Sequence, residues 1–330
     1  MESNISPQMI EKGILAVLAG ASLHKVAACI SMEPANLADA AGLYQAAGYA
    51  AIEGHLGLHN WHQVWIEFAR RDISAQIAVH LGSQMQQAEM AGIISSWWFI
   101  RKAPCWRLRC RPGSAATLAE MKAFIGHVLD GMLSLGLIVR TYKSIYEPET
   151  YAFGGPIGMG IAHCLFHIDS RNILSYLNLY SSAVSPDRMI GHRELSILLC
   201  SVLMRNAGQD WYEQGDVWSK VTEKRPISDG VPLERLCDIR PGLRKLMTVD
   251  VGPESELLKD GGKLVFAVEW VMAFAEAGKA LRDKARDGEL SRGVRDILAH
   301  HIIFHWNRIG LSFREQGHLA RMATKVAFEK

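Results

Sequence analysis

No run of apolar residues in the 330-residue sequence approaches the roughly 20 that a membrane-spanning helix needs. The best candidate for a secretory leader, Gly13 to Ala21, follows Glu2 and Glu11 rather than a basic segment, so it reads as part of an amphipathic first helix. A charge excess is missing too. The 36 basic side chains face 34 acidic ones, so no global field draws the chain to nucleic acid or to an anionic bilayer. The six cysteines include no CxxC pair, which argues against a zinc ribbon or a dithiol redox motif; they read as reduced, mostly core-filling thiols of a cytoplasmic protein. Neither an internal repeat nor a low-complexity tract occurs. What is present is an ordinary globular composition, 49% apolar and 21% charged, in a chain long enough for one main domain and a small appendage.

Residues 1–56 are expected to form the appendage, a small helical module broken at Ser31-Met32-Glu33-Pro34, with Pro34 starting the next helix and Asn36 or Asp39 in its first turn. The pattern resembles a helix-turn-helix. Its second helix, Ala35 to Ala51, carries no Arg or Lys, so packing or docking of a peptide or protein fits better than DNA. Gly54 to Asn60 reads as a hinge, and residues 61–330 as the main domain. Val64, Ile66 and Phe68 alternate as in a strand, Asp72 to Met90 is helical, and Trp97 to Lys102 is again a strand. A helix over Thr117 to Leu135 and a strand over Leu137 to Tyr142 follow. After Met159 the pattern is mostly helical: 159–177, 191–214, 233–247, 264–285 and 290–327, the last broken near Gly310. The fold class is therefore α+β, a mixed or antiparallel sheet packed with helices and a helix-rich C-terminal half.

Chemistry concentrates in Trp106-Arg107-Leu108-Arg109-Cys110-Arg111. In a strand, the period of two puts Arg107, Arg109 and Arg111 on one face and Trp106, Leu108 and Cys110 on the other. Guanidiniums repeating about every 7 Å repel unless an anion lies between them, and Arg grips carboxylates and phosphates with paired hydrogen bonds. An anion site or a solvated edge strand paired with nearby acids satisfies this pattern. Tyr146-Glu147-Pro148-Glu149 supplies two carboxylates suited to organising the arginine face. Near the C-terminus, spacings of three and four set His301, His305 and Arg308 on one helical face. His163 with His167, and His301 with His305, are four apart; lacking a metalloprotease Glu, neither pair makes a convincing metal site. The glycines from Gly154 to Gly160 match no phosphate loop and read as a turn into the next helix. Gly208 to Trp218 reads either as the lining of a peptide groove or as a helix end packed by two Trp side chains.

Taken in order, Phe99-Ile100-Arg101, Arg107-Leu108-Arg109, Tyr146-Glu147-Pro148-Glu149, Phe153-Gly154-Gly155, Phe166-His167-Ile168-Asp169-Ser170 and Asn307-Arg308 resemble the thiopeptide-type bacteriocin biosynthesis family over residues 61–328. That family includes the glutamate-elimination domains of lanthipeptide dehydratases, and a branch of it forms thiopeptide pyridine rings from two dehydroalanines. The resemblance implies a lyase that removes glutamate from glutamylated Ser or Thr of a ribosomal precursor peptide. Its alternatives are pyridine-forming cycloaddition or a non-catalytic leader-binding subunit. It implies Arg107 and Arg109 as the catalytic pair for the glutamyl carboxylates or the enolate, with His305 as base. Arg308 beside His305 would keep that imidazole neutral. Arg101, Arg111, Glu147, Glu149, Asn307 and Arg308 are assigned to substrate binding. The implied partners are the precursor's leader and core and a separate glutamylating subunit, which itself uses glutamyl-tRNA; a homodimer is compatible. Metal, nucleotide and redox cofactors are not implied. Two departures stand out: Ala152 occupies a position where dehydratases commonly carry Arg, and Ile303 one where a His is usual.

Overall fold

Alternation in residues 62–68, 94–102, 105–112 and 138–144 is realised as four strands. The computed structural model describes residues 6–55, 60–69, 74–182, 189–227, 240–252 and 254–328. Strands β1 (His62–Phe68), β2 (Ile94–Lys102), β3 (Cys105–Pro112) and β4 (Ile138–Ser144) form one sheet in the order β2-β3-β1-β4. All three pairings are antiparallel, so of the two expected sheet types the antiparallel one is found.

Each face of the sheet is set by register. Val64, Ile66, Trp97, Phe99, Trp106, Leu108 and Cys110 pack into the main core with Ile77, Leu81 and Met85 of α4 (Ser74–Met90) and Met121 and Ile125 of α5 (Leu118–Ser134). Helix α5 begins sharply because Thr117 and Glu120 form a capping box. On the opposite face stand Trp98 and Ile100 of β2, Arg107 and Arg109 of β3, and Gln63 and Trp65 of β1, matched by the pairs Trp98↔Arg109, Ile100↔Arg107, Gln63↔Arg109 and Trp65↔Arg107.

Helix α6 (Gly155–Ser182) seals the outer edge of β2. Its Ser170 Oγ accepts the Phe99 N–H at 3.2 Å, and His167 Nδ1 lies 3.0 Å from the Trp97 carbonyl oxygen and 3.2 Å from its nitrogen. These side chains occupy backbone groups that an edge strand would otherwise offer to another chain. The helix starts at Gly155, earlier than its sequence pattern indicates, because Gly154 and Gly155 take φ of 84° and 94°.

The C-terminal half comprises α7 (His192–Asn206), α8 (Trp211–Lys224), α9 (Arg240–Thr248), a 3-10 turn at Val265–Ala267, α10 (Val268–Arg286), α11 (Val294–Ile309) and α12 (Phe313–Phe328). The single helix expected over 191–214 is two. Gly208 turns the chain at φ 79°, and Asp210 with Glu213 forms a capping box that opens α8. The Gly208 to Trp218 phrase is thus a helix start. Trp211 Nε1 donates to the Ala327 carbonyl at 2.9 Å, and Trp218 stacks on Trp306. Of the helix expected at 233–247, residues before 240 lie outside the described residues, as do Pro186, Pro232, Pro253 and Cys237. The anticipated break at Gly310 is present, with φ 98°.

Three N-terminal helices, α1 (Pro7–Leu18), α2 (Leu23–Cys29) and α3 (Pro34–His55), surround their own small core of Ile14, Ala27, Leu37 and Ala41. Among the described residues, no helix is long and apolar enough to cross a membrane.

Candidate functional site

Arg109 lies in the middle of β3 and is only 2% exposed. Its guanidinium carbon sits 4.0 Å from the Trp98 ring centroid and 4.6 Å from that of Tyr146, and Nε donates to Gln63 Oε1 at 2.7 Å. Gln63 in turn donates to the Ile145 carbonyl at 2.8 Å and to Ser144 Oγ at 3.1 Å, tying β1 to the segment that carries Tyr146. Burial lowers the Arg109 pKa to about 10, against the pull of Tyr146 and Glu149 in the other direction. The group stays cationic at neutral pH. Its Nη1 is buried with no hydrogen-bond partner among the described residues, and no carboxylate forms an ion pair with it there. A buried cation in that condition is costly and attracts an anion.

At the mouth of this box are half-buried Trp61 and His163. Tyr146 Oη and His163 Nε2 are 2.8 Å apart, and the His163 ring centroid lies 4.8 Å from Trp61 and 6.3 Å from Trp98. Burial raises the Tyr146 pKa well above its usual value, with Arg109 opposing and Glu149 reinforcing the shift. The phenol is therefore a lasting proton donor. Trp98, Phe153, Phe166 and Phe304 continue the aromatic wall into the protein.

Arg107 shares the Arg109 face and lies over Trp65 at 4.5 Å, half-buried. Arg111 follows on the same face, exposed. Arg101 is directed to the opposite face: it pairs with Trp106 in register, lies 4.5 Å over that ring and sits beside Gly310, so it does not support Arg107 and Arg109. Two residues from Ile100 would have been needed to share that face. Glu147 is exposed, whereas Glu149 has a buried Oε2 without a hydrogen-bond partner; neither forms an ion pair with Arg107 or Arg109 among the described residues. Asn307 accepts from Gln316 at 2.9 Å and holds α12 against α11, away from Arg308.

His301, His305 and Arg308 do share one face of α11, and that face is fully buried. Arg308 Nε donates to Asp169 Oδ2 at 2.6 Å, His305 Nδ1 lies 2.9 Å from Asp169 Oδ1, and Trp270 Nε1 donates to the same oxygen at 2.7 Å. The cation expected next to His305 is thus separated from it by a carboxylate. His305 is 1% exposed, its ring meets Trp270 and Phe274, and Nε2 has no hydrogen-bond partner among the described residues. It is Phe304, one position earlier and about 100° round the helix, that reaches the aromatic wall near Arg109. His163 and His167 act separately, on Tyr146 and on the backbone of Trp97, and among the described residues no three potential metal ligands cluster. Sequence reasoning missed Trp61, Gln63 and the local role of His163. The only signal was that Gln63, like Arg109, falls on the polar side of its strand's alternation.

The family model for the C-terminal region of lantibiotic biosynthesis dehydratases matches residues 61–327. Comparison with curated protein sequences returned no match. Among solved structures, the chain resembles the tRNA-dependent lantibiotic dehydratase MibB from Microbispora sp. 107891 (TM-score 0.59, 18% identity), covering 80% of this chain and 28% of MibB. TsrL matches with TM-score 0.55 and 14% identity over 81% of this chain and 93% of its own. TbtD, a pyridine synthase from thiomuracin biosynthesis, matches with TM-score 0.52 and 14% identity over 82% and 98%. At these identities the likeness is one of fold.

Proposed function

This chain belongs to the lantibiotic biosynthesis dehydratase C-terminal family, and from that premise we propose that it eliminates glutamate from glutamylated Ser or Thr of a ribosomally made precursor peptide. The products are dehydroalanine or dehydrobutyrine and free glutamate. Elimination removes a weakly acidic α-proton and expels a carboxylate, so it needs a base, a positive charge near the developing enolate and a place for the leaving anion. The observation that carries the reading is Arg109: a buried guanidinium whose Nη1 has no hydrogen-bond partner and which forms no ion pair among the described residues, with an imidazole and a phenol at its entrance. In this reading Arg109 stabilises the enolate or the departing carboxylate. Arg107, on the same face but accessible, holds the second carboxylate of the glutamyl group, and Arg111 extends the charge toward the peptide. A separate subunit glutamylates the peptide, and the precursor's leader adds affinity. The Asp169–His305–Arg308 network holds α6 and α11 in place behind the aromatic wall.

The test is incubation with a synthetic glutamyl-Ser peptide while glutamate and dehydroalanine are followed by mass. Loss of about 100-fold or more in kcat/KM is expected for Arg109→Ala, the scale on which removal of one stabilising donor acts. A second reading, cycloaddition of two dehydroalanines, has one specific observation in its favour: Ala152 and Phe304 contribute hydrocarbon to the Trp98 cluster, which suits planar uncharged groups. A cycloadditive enzyme would leave the ester intact and consume a bis-dehydroalanine peptide. A leader-binding subunit would do neither.

A further inference from the structure

The elimination reading leaves its base open, and the fold discriminates among the imidazoles. His305 and His301 are each 1% exposed. His305 directs Nδ1 to Asp169, while His301 is wedged against Phe153 and Phe166 with neither nitrogen hydrogen-bonded among the described residues. Neither presents a nitrogen to the Arg109 face. His300 gives its Nδ1 to the Asp296 carbonyl at 2.8 Å, within its own helix. His163 alone among these touches a residue that touches Arg109: its Nε2 is 2.8 Å from Tyr146 Oη, and the Tyr146 ring covers the guanidinium at 4.6 Å. It is also half-buried, reachable from the side that Trp61 borders.

We infer that His163 is the base that takes the α-proton, with Tyr146 as the hydroxyl partner that it exchanges for substrate. This rests on the elimination reading. His163 Nε2 takes the proton from Cα of the glutamylated residue, the C–H electron pair becomes the Cα=Cβ bond, and the Cβ–O bond breaks. Its electrons leave on the glutamate carboxylate, which Arg109 Nη1 receives. When substrate displaces it from Nε2, the Tyr146 hydroxyl turns to donate a hydrogen bond to the departing carboxylate. The imidazolium then returns its proton to water at the mouth of the site, where His163 is accessible. His305 cannot make this exchange without breaking its bond to Asp169 and leaving the interior.

The experiment uses the full chain and a glutamyl-Ser peptide, either protiated or deuterated at the Ser Cα, with glutamate release followed for wild type, His163→Gln, His163→Ala, Tyr146→Phe and His305→Gln. Thermal melting of each variant checks its fold. The expected result is a loss of about 100-fold or more in kcat for both His163 variants, with KM within a few-fold of wild type. Added imidazole should restore part of the rate to His163→Ala, and wild type should slow on the deuterated peptide. His305→Gln should lower the melting temperature and keep kcat. Undiminished turnover in both folded His163 variants overturns this inference and leaves the elimination reading standing. So does loss of turnover in a His305→Gln protein that melts like wild type. A wild-type protein that releases no glutamate overturns the elimination reading, and the base assignment with it.

Discussion

A guanidinium held between two aromatic faces gains about 2 kcal/mol or more from each desolvated contact, yet that gain requires its N–H groups to find acceptors. At Arg109 the acceptor for Nε is Gln63 Oε1, and the faces are Trp98 and Tyr146. Gln63→Leu keeps the volume and removes the acceptor, so urea denaturation should show a loss of about 1–3 kcal/mol, the penalty for a stranded buried donor. Asp169→Asn is a harsher change. It leaves Arg308, which is fully buried, without its counter-charge, and a loss of about 3–5 kcal/mol is expected in the same measurement. The period of two, read from Trp106 to Arg111, placed three arginines on one face as the register now places them. It could not say that Arg109 would be buried and Arg111 exposed, because that depends on Trp98 and Tyr146 closing over the middle of the strand. Nor could it supply Gln63, 46 residues away along the chain. Helical spacing likewise grouped His301, His305 and Arg308 rightly. What lay opposite that face, Asp169, belongs to another helix and fixed its meaning.

Helices meet most closely where a glycine sits, and the cost of filling that position separates packing from propensity. On α10, a Cβ at Gly278 would come within 2.4 Å of the Leu203 carbonyl oxygen of α7, whereas at Gly126 on α5 nothing lies within 4 Å. Gly126→Ala should therefore stabilise the protein by about 0.5–1 kcal/mol through helix propensity alone. Gly278→Ala should destabilise it by about 1–3 kcal/mol, because α7 and α10 must separate. Opposite signs of the two melting shifts are the outcome to look for. Most elements were legible in the sequence because hydrophobic period and capping residues are local. The division of 191–214 into α7 and α8 was written there too, in Gly208 and the Asp210–Glu213 capping box. The apolar pattern runs on through that break because α7 and α8 both pack against α11 and face one core, so periodicity alone read across it.

At the scale of the whole molecule, the helices α1 to α3 have a core of their own, joined to the rest through Tyr151, whose ring meets Gly42 and whose hydroxyl donates to Asp39 while Arg292 lies 5.1 Å over the ring. A separate core predicts that deletion of residues 1–55 leaves the cooperative unfolding of the remainder in place, seen as an unchanged main transition by calorimetry. The acid stability of that main body is set by groups that folding keeps from binding protons. Burial, with Arg308 and His300 adding to it, lowers the His301 pKa to about 3. In the unfolded chain this imidazole binds a proton near its ordinary value of about 6.5. Between those values the unfolded state holds a proton that the folded state refuses. Stability from this group is thus complete above about pH 6.5 and declines as pH falls toward 3, by up to about 1.4 kcal/mol per pH unit. Asp169 acts lower in the range: burial raises its pKa, but His305 and Arg308 outweigh burial and hold it below the usual carboxylate value. Its contribution is complete above the unfolded carboxylate range and is lost as pH falls from there through the lower folded value. His301→Phe puts an apolar ring between Phe153 and Phe166 and removes only the first component. Urea titrations at pH 7 and pH 5 should then show wild type losing about 2 kcal/mol more than the variant over that interval. The two should run parallel only below about pH 3, where folded and unfolded chains both carry the His301 proton. Equal losses between pH 7 and 5 would mean that His301 takes up its proton inside the folded protein, and that the aromatic wall behind Arg109 is open to water.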